Sequence, residues 1–167
     1  MNAARTLLAL CFFQANPQDL PYAPRLVWMS AAAALLTQLR PQQQLALAAT
    51  AGGVQLAVLG LFLHTLLTLQ GKPERWTQSA TALFGAIGVT NLASWPVLWW
   101  LEQNGPTPAA ALPLFVGLAI GVWFLAILAH ILRQALEVGS GPAILLGLGG
   151  VLLALFVTVF LASAFHG

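Results

Sequence analysis

The sequence predicts an all-α fold: a polytopic transmembrane helical bundle of five helices, preceded by a short interfacial amphipathic helix. The first observation is composition, because 59% of the 167 residues are hydrophobic and only 6% are charged. Soluble domains carry roughly 25% charged residues, so this chain cannot cover a surface that faces water. The second observation is the length of its uncharged intervals, and the third is the placement of its cations.

Long uncharged intervals predict four membrane spans. Four stretches without a charged residue, 41–71, 76–101, 103–132 and 138–167, are each at least 26 residues long. A helix needs about 20 residues to cross the hydrocarbon core, so each stretch is long enough. Trimmed at proline, glycine and polar residues, the predicted spans are residues 45–69, 78–101, 110–132 and 142–164.

A fifth span is predicted at residues 24–40, although its uncharged core is only 14 residues long. Pro24 suits the first helical position, and Arg25 and Arg40 can extend their side chains to the lipid headgroups. With five spans, five of the six Lys and Arg residues lie on one side of the membrane, whereas four spans divide them three and three. Cations accumulate in cytoplasmic loops, so we expect a bacterial inner-membrane protein with a cytoplasmic N-terminus and a periplasmic C-terminus.

Residues 1–23 are predicted to form a cytoplasmic interfacial helix and a proline-rich connector, and residues 24–167 the transmembrane domain. Residues 3–13 have the alternation of polar and apolar faces that is typical of a helix lying in the headgroup layer. The two predicted faces are Asn2, Arg5 and Thr6 toward water, and Leu7, Leu10 and Cys11 toward lipid.

The five-helix layout and two patches of sequence resemble small bacterial members of the Yip family of membrane proteins. The patches are Pro17-Gln18-Asp19-Leu20-Pro21-Tyr22, and the turn Gln70-Gly71-Lys72-Pro73 leading to Trp76 and to Thr81-Ala82-Leu83-Phe84-Gly85-Ala86. In eukaryotes that family is linked to small-GTPase recruitment and membrane traffic. The resemblance implies a helical membrane fold, and it supplies no catalytic motif.

The sequence predicts neither an enzyme nor a cofactor or metal. It contains no nucleophile beside a base, no paired carboxylates, no phosphate-binding loop and no His-Glu-x-x-His helix. His64 and His130 lie on different predicted spans, as the axial ligands of a membrane haem do. Counting 1.5 Å per residue, however, they lie roughly 12 Å and roughly 4.5 Å from the nearest predicted cytoplasmic cations, Lys72 and Arg133, which is a poor match in depth. Ten charged residues are also too few for nucleic-acid binding.

Small residues repeat every three or four positions on several predicted spans, where they allow helix backbones to approach closely in lipid. The predicted packing positions are Gly53, Ala57, Gly60, Ala86, Gly117, Gly121 and Gly147. Most of these positions are expected to pack within one chain. Gly117 and Gly121 form a Gly-x-x-x-Gly pair, which leaves open a dimer or partner face.

Three polar residues, Gln55, Thr90 and Asn91, fall near the middle of predicted spans. They are interpreted either as interhelical hydrogen-bonding groups or as contacts to a substrate. No Asp or Glu lies within a predicted span, which argues against ion-coupled transport.

We therefore predict an accessory, scaffold or assembly subunit that binds other membrane proteins or a second copy of itself within the lipid bilayer. The predicted partner-binding residues are Arg5, Lys72, Glu74, Arg75 and Trp76. A small transporter or permeation protein that uses Gln55, Thr90 and Asn91 is the alternative, and a haem-binding subunit is the more remote one.

Overall fold

The computed structural model describes residues 2–39, 45–105, 107 and 110–166. Within these ranges the chain is helical and has no strand. The helices are α1 (Ala3–Cys11), α2 (Pro24–Leu36), α3 (Leu45–Leu69), α4 (Trp76–Asn104), α5 (Ala111–Leu136) and α6 (Ser140–His166). Two single 3₁₀ turns, Pro17–Asp19 and Pro73–Arg75, precede α2 and α4.

Four of these helices, α3 to α6, are long and apolar enough to cross a membrane. The all-helical prediction is thereby confirmed, and each of the four longer predicted spans falls on one of these long apolar helices. Within residues 24–39 the structure has a shorter helix, α2, which contains 13 residues. Arg40, the predicted end of this span, lies outside the described residues. The start of α2 follows the predicted rule, because Pro24 occupies the first turn, where its missing N–H is not needed.

The connections between the long helices are made by residues with unusual backbone angles. Gly71, with a φ of 68°, ends α3, and Glu137, with a φ of 58°, caps the end of α5 in the left-handed conformation. Pro96 lies inside α4. Membrane helices tolerate such a proline, because neighbouring groups can satisfy the carbonyl that it leaves without a donor.

The central helix is α4, which contacts α1, α2, α3 and α5, while α6 packs on α3 and α5. Close approach of α2 and α4 depends on Gly88, where a Cβ atom would lie 3.6 Å from the Cα atom of Ala34. Farther along both helices, Thr37 at the end of α2 lies beside Asn91 and Trp95 of α4. The two helices therefore run side by side in the same direction.

Three of the predicted small positions do lie against neighbouring helices, and the contact at Gly60 is the tightest of them. A Cβ atom on Gly60 would come within 3.1 Å of the Phe84 ring, and one on Gly147 within 3.5 Å of Leu128. Ala86 is fully buried. At these places a small side chain lets a neighbouring residue pack against the helix backbone.

Three other predicted packing positions differ from expectation, while Gly117 has one ordinary contact. A Cβ atom on Gly53 or Gly121 would meet no described atom within 4 Å, and one on Gly117 would lie 3.5 Å from Val97 of α4. Ala57 is exposed. The physical reason is that α2 packs mainly on α4, which leaves this face of α3 uncovered, while Gly117 and Gly121 line a cavity.

Candidate functional site

The N-terminal segment packs into the bundle, which corrects the predicted orientation of α1. Leu10 and Cys11 are fully buried and Thr6 is 1% exposed. Leu10 and Cys11 belong to a cluster with residues of α4 and α5 that includes Ala82 and Ile127. The buried face is covered by helices rather than by lipid, and it includes Thr6, for which the prediction of a water-facing position is wrong. Asn2 and Arg5 are exposed, as predicted.

Side chains of α4 and α5 hold this segment through its backbone carbonyls. Trp123 donates from Nε1 to the carbonyl of Cys11 across 3.0 Å, and Gln78 donates to the carbonyl of Leu20 across 2.6 Å. The Nε2 atom of His130 lies 3.0 Å from the carbonyl oxygen of Ala15. These bonds satisfy carbonyls at the end of α1 and in the segment after it. Carbonyls without a donor would be costly inside a bundle.

The structure does not bring the two candidate haem ligands together. His130 contacts the N-terminal segment through the Ala15 carbonyl and the ring of Phe13. His64 lies against the ring of Trp76, at a centroid separation of 6.1 Å. Each imidazole therefore has its own neighbours on a different part of the bundle.

The turn between α3 and α4 carries four of the predicted partner-binding residues: Lys72, Glu74, Arg75 and Trp76. This turn is bound to the end of α5. Glu137 forms ion pairs with Lys72 and Arg75, each with an N–O distance of 2.5 Å. Lys72 also donates to the carbonyl of Leu136 and Arg75 to that of Ala135, across 3.2 Å in both cases. Cations at this position complement the negative end of the helix dipole.

Charge on the turn lowers the pKa of the Glu137 carboxyl below its ordinary value, mainly through the hydrogen bond from Lys72 and next through that from Arg75. Of the other predicted partner-binding residues, Arg5 and Glu74 are exposed and Trp76 is half-buried. The sequence identified these cations, but nothing in the local pattern indicated that they are engaged within the chain.

The C-terminal end of α2 meets the middle of α4. Trp95 donates from Nε1 to the carbonyl of Thr37 across 2.8 Å, and Asn91 donates from Nδ2 to the Thr37 hydroxyl across 3.3 Å. The same hydroxyl donates to the carbonyl of Ala34. These bonds fix the end of α2 beside the polar centre of α4.

Two adjoining cavities meet at Gln55 and Asn91, which line both. The first, of about 300 Å³, lies between the end of α2, α3 and α4. The second, of about 190 Å³, lies between α3, α4 and α5. Polar lining residues are Thr37, Gln38 and Trp95 in the first cavity and Thr90 and Ser94 in the second. The structure thus brings together all three predicted mid-span polar residues.

The chemistry of these walls suits an uncharged polar molecule. No charged side chain is among the described residues that line either cavity. Gln38 presents a buried Nε2 atom that has no hydrogen-bond partner among the described residues. Such a donor is costly to bury without an acceptor, and amides and hydroxyls both donate and accept.

Comparison with known proteins finds no relative of this chain. No family model, no curated protein and no solved structure matches the chain. The geometry of the cavities is therefore the basis for a functional conclusion.

Sequence reasoning missed Thr37, Gln38 and Trp95 as members of this site. A signal was present, because Thr37 and Gln38 interrupt the apolar stretch that starts after Arg25. The predicted span over residues 24–40 includes both Thr37 and Gln38. Their position beside Asn91 depends on helix packing, which that prediction does not address.

Proposed function

We propose that this protein is a small permeation protein or transporter that binds an uncharged polar solute between α2, α3, α4 and α5. The observation that carries the proposal is that Gln55 and Asn91 line two adjoining cavities. Both residues lie near the middle of long apolar helices. Polar groups at that depth are costly in lipid, and in membrane proteins they mark solute pathways.

The short length of α2 supports the same proposal. Helices that stop within the membrane place their polar ends at the solute sites of many transporters. Here α2 ends at Leu36, beside Asn91 and Trp95, and Thr37 and Gln38 line the first cavity. Gly117 and Gly121 form part of the wall of the second cavity, where the lack of side chains leaves room for a solute.

The proposed topology has five crossings, with the N-terminus cytoplasmic and the C-terminus periplasmic in a bacterial inner membrane. It is supported by the common direction of α2 and α4, because α3 must then return along them before α4 begins. The bias of Lys and Arg toward one side agrees with that topology. A relation to the Yip family stays a prediction from the sequence.

Permeation is measured with proteoliposomes that are shocked osmotically with glycerol or with urea, followed by stopped-flow light scattering. We expect the wild type to admit at least one of these solutes faster than protein-free vesicles do. Asn91→Leu removes a polar group from both cavities, and Gly121→Leu fills the second. Each is expected to lower the protein-dependent rate by about tenfold, equivalent to ~1.4 kcal/mol.

The matched control is Gly149→Leu, because Gly149 is exposed and a Cβ atom there meets no described atom within 4 Å. Gly121 has the same open space, so both variants are expected to fold. Equal rates for wild-type and protein-free vesicles with both solutes would contradict permeation. Equal rates for wild type and Gly121→Leu would remove the second cavity from the path.

The accessory or scaffold function is the second proposal. It is supported by the exposed charges of Arg5 and Glu74, which are available to a partner protein. Lys72 and Arg75 contribute less than expected to such a surface, because they bind Glu137. Co-purification of a stoichiometric membrane protein, lost on Arg5→Gln together with Glu74→Gln, would favour this function over permeation.

A further inference from the structure

An apolar groove of about 770 Å³ lies between α2 and α3, with Phe84 of α4 lining it. Its described lining residues include none that line the two polar cavities. The small residues Gly53, Ala57 and Gly60 form part of its wall. The groove is therefore a separate site, created where α2 leaves α3 uncovered.

Polar groups are confined to one end of this groove. Among its described lining residues, only Trp28, His64 and Trp76 carry nitrogen in their side chains. Trp76 is the first residue of α4, Trp28 is in the second turn of α2, and His64 is near the end of α3. All three lie toward the end of the bundle at which α2 and α4 begin. The groove thus has one polar end and a long apolar part.

The length of the apolar part matches one leaflet of a bilayer. From His64 to Gly53 along α3, eleven residues at 1.5 Å each give about 16 Å. Half of a hydrocarbon core is about 15 Å thick. A hydrocarbon chain that enters at the polar end would therefore reach the apolar end near the bilayer midplane.

The polar end offers a hydrogen-bond donor without an acceptor. The Nε1 atom of Trp76 is buried and has no partner among the described residues. Tryptophan at the end of a span lies at the membrane interface, where the ester carbonyls of diacyl lipids also lie. A carbonyl oxygen is an acceptor of the kind that an indole N–H requires.

We propose that this groove binds one acyl chain of a diacyl membrane lipid, whose ester carbonyl accepts a hydrogen bond from Trp76. The chain lies along Gly60, Ala57 and Gly53, where larger side chains would occupy its space. The lipid comes from the leaflet on the side where α2 and α4 begin. This site is independent of the solute site, so either proposal can fail without the other.

Bound lipid is counted by native mass spectrometry after transfer from nanodiscs of dioleoylphosphatidylglycerol into detergent. We expect the wild type to retain one phospholipid per chain. Gly53→Leu fills the groove, where a Cβ atom meets no described atom within 4 Å, and is expected to reduce the retained lipid about tenfold. Ala57→Leu is a second variant with the same expected loss, and Gly149→Leu is the control that retains lipid.

Trp76→Phe tests the hydrogen bond separately, because it keeps an aromatic ring and removes the donor. We expect it to retain less lipid than the wild type and more than Gly53→Leu. Equal retention by wild type, Gly53→Leu and Ala57→Leu would overturn the proposal, since the lipid would then be bound elsewhere. Solvent extraction that yields a quinone in place of a phospholipid from the purified protein would overturn the assigned occupant.

Discussion

The indole of Trp95 donates a hydrogen bond to the backbone carbonyl of Thr37 across 2.8 Å. This bond joins α4 to Thr37, the residue that caps the end of α2. Without it, the last turn of α2 would leave a carbonyl without a donor beside the first polar cavity. Trp95 is thus a positioning residue for the cavity as well as one of its lining groups.

Trp95→Phe is expected to destabilise the protein by ~1 kcal/mol, the usual worth of an interhelical hydrogen bond in a membrane. The melting temperature in detergent is therefore expected to fall by a few degrees. Trp99→Phe is the control, because Trp99 is an exposed residue of the same helix. Equal losses for the two variants would show that the Thr37 bond contributes nothing.

The ion pairs of Glu137 are expected to make the stability of the folded protein depend on pH. Lys72 and Arg75 lower the pKa of Glu137 in the folded protein below the ordinary value of 4.5. The stabilisation is therefore present above that value and is lost as the pH falls through the lower, folded pKa. In thermal unfolding in detergent, Glu137→Gln is expected to melt lower than the wild type near neutral pH, and the difference is expected to shrink in acid.

Glu74→Gln is the control for Glu137, since Glu74 is an exposed carboxylate in the same turn. Its difference from the wild type is expected to be small at every pH. A gap between Glu137→Gln and wild type that stays constant from neutral pH to acid would contradict the assigned role of the ion pairs.

Two adjacent glycines of α6 are expected to respond very differently to substitution. A Cβ atom on Gly150 would come within 2.8 Å of the Phe62 ring, whereas one on Gly149 would meet no described atom within 4 Å. Gly150→Leu is expected to cost ~1–3 kcal/mol through overpacking between α3 and α6, and Gly149→Leu much less. Folded yield and melting temperature measure the difference, and similar values for both would contradict this packing.

The topology is tested with reporter fusions at two positions. Five crossings predict a cytoplasmic reporter after Gly71 and a periplasmic reporter after Gly167. A periplasmic reporter after Gly71 together with a cytoplasmic reporter after Gly167 would mean that the segment containing α2 does not cross, because α4, α5 and α6 always place the two positions on opposite sides. The same result would leave the cavities in place but would change the side from which a solute reaches them.

The long helices could be predicted because the signal for them is local. A span requires about 20 apolar residues in a row, and that property can be read from the sequence without knowledge of any contact. The polar residues Gln55, Thr90 and Asn91 could be identified for the same reason, since each interrupts an apolar stretch. Their common location around two cavities could not be predicted, because it depends on how three helices are rotated.

The sequence by itself determined the membrane character of the chain, its four long helices and the residues that carry polar chemistry within them. Only the tertiary structure decided that α1 is buried against α4 and α5, that Glu137 binds the cations of the turn, and that α2 ends beside Asn91. The physical reason is that lipid and a neighbouring helix are equally apolar, so an apolar or small-residue face does not specify which of them covers it. That choice depends on the combined shapes of several helices.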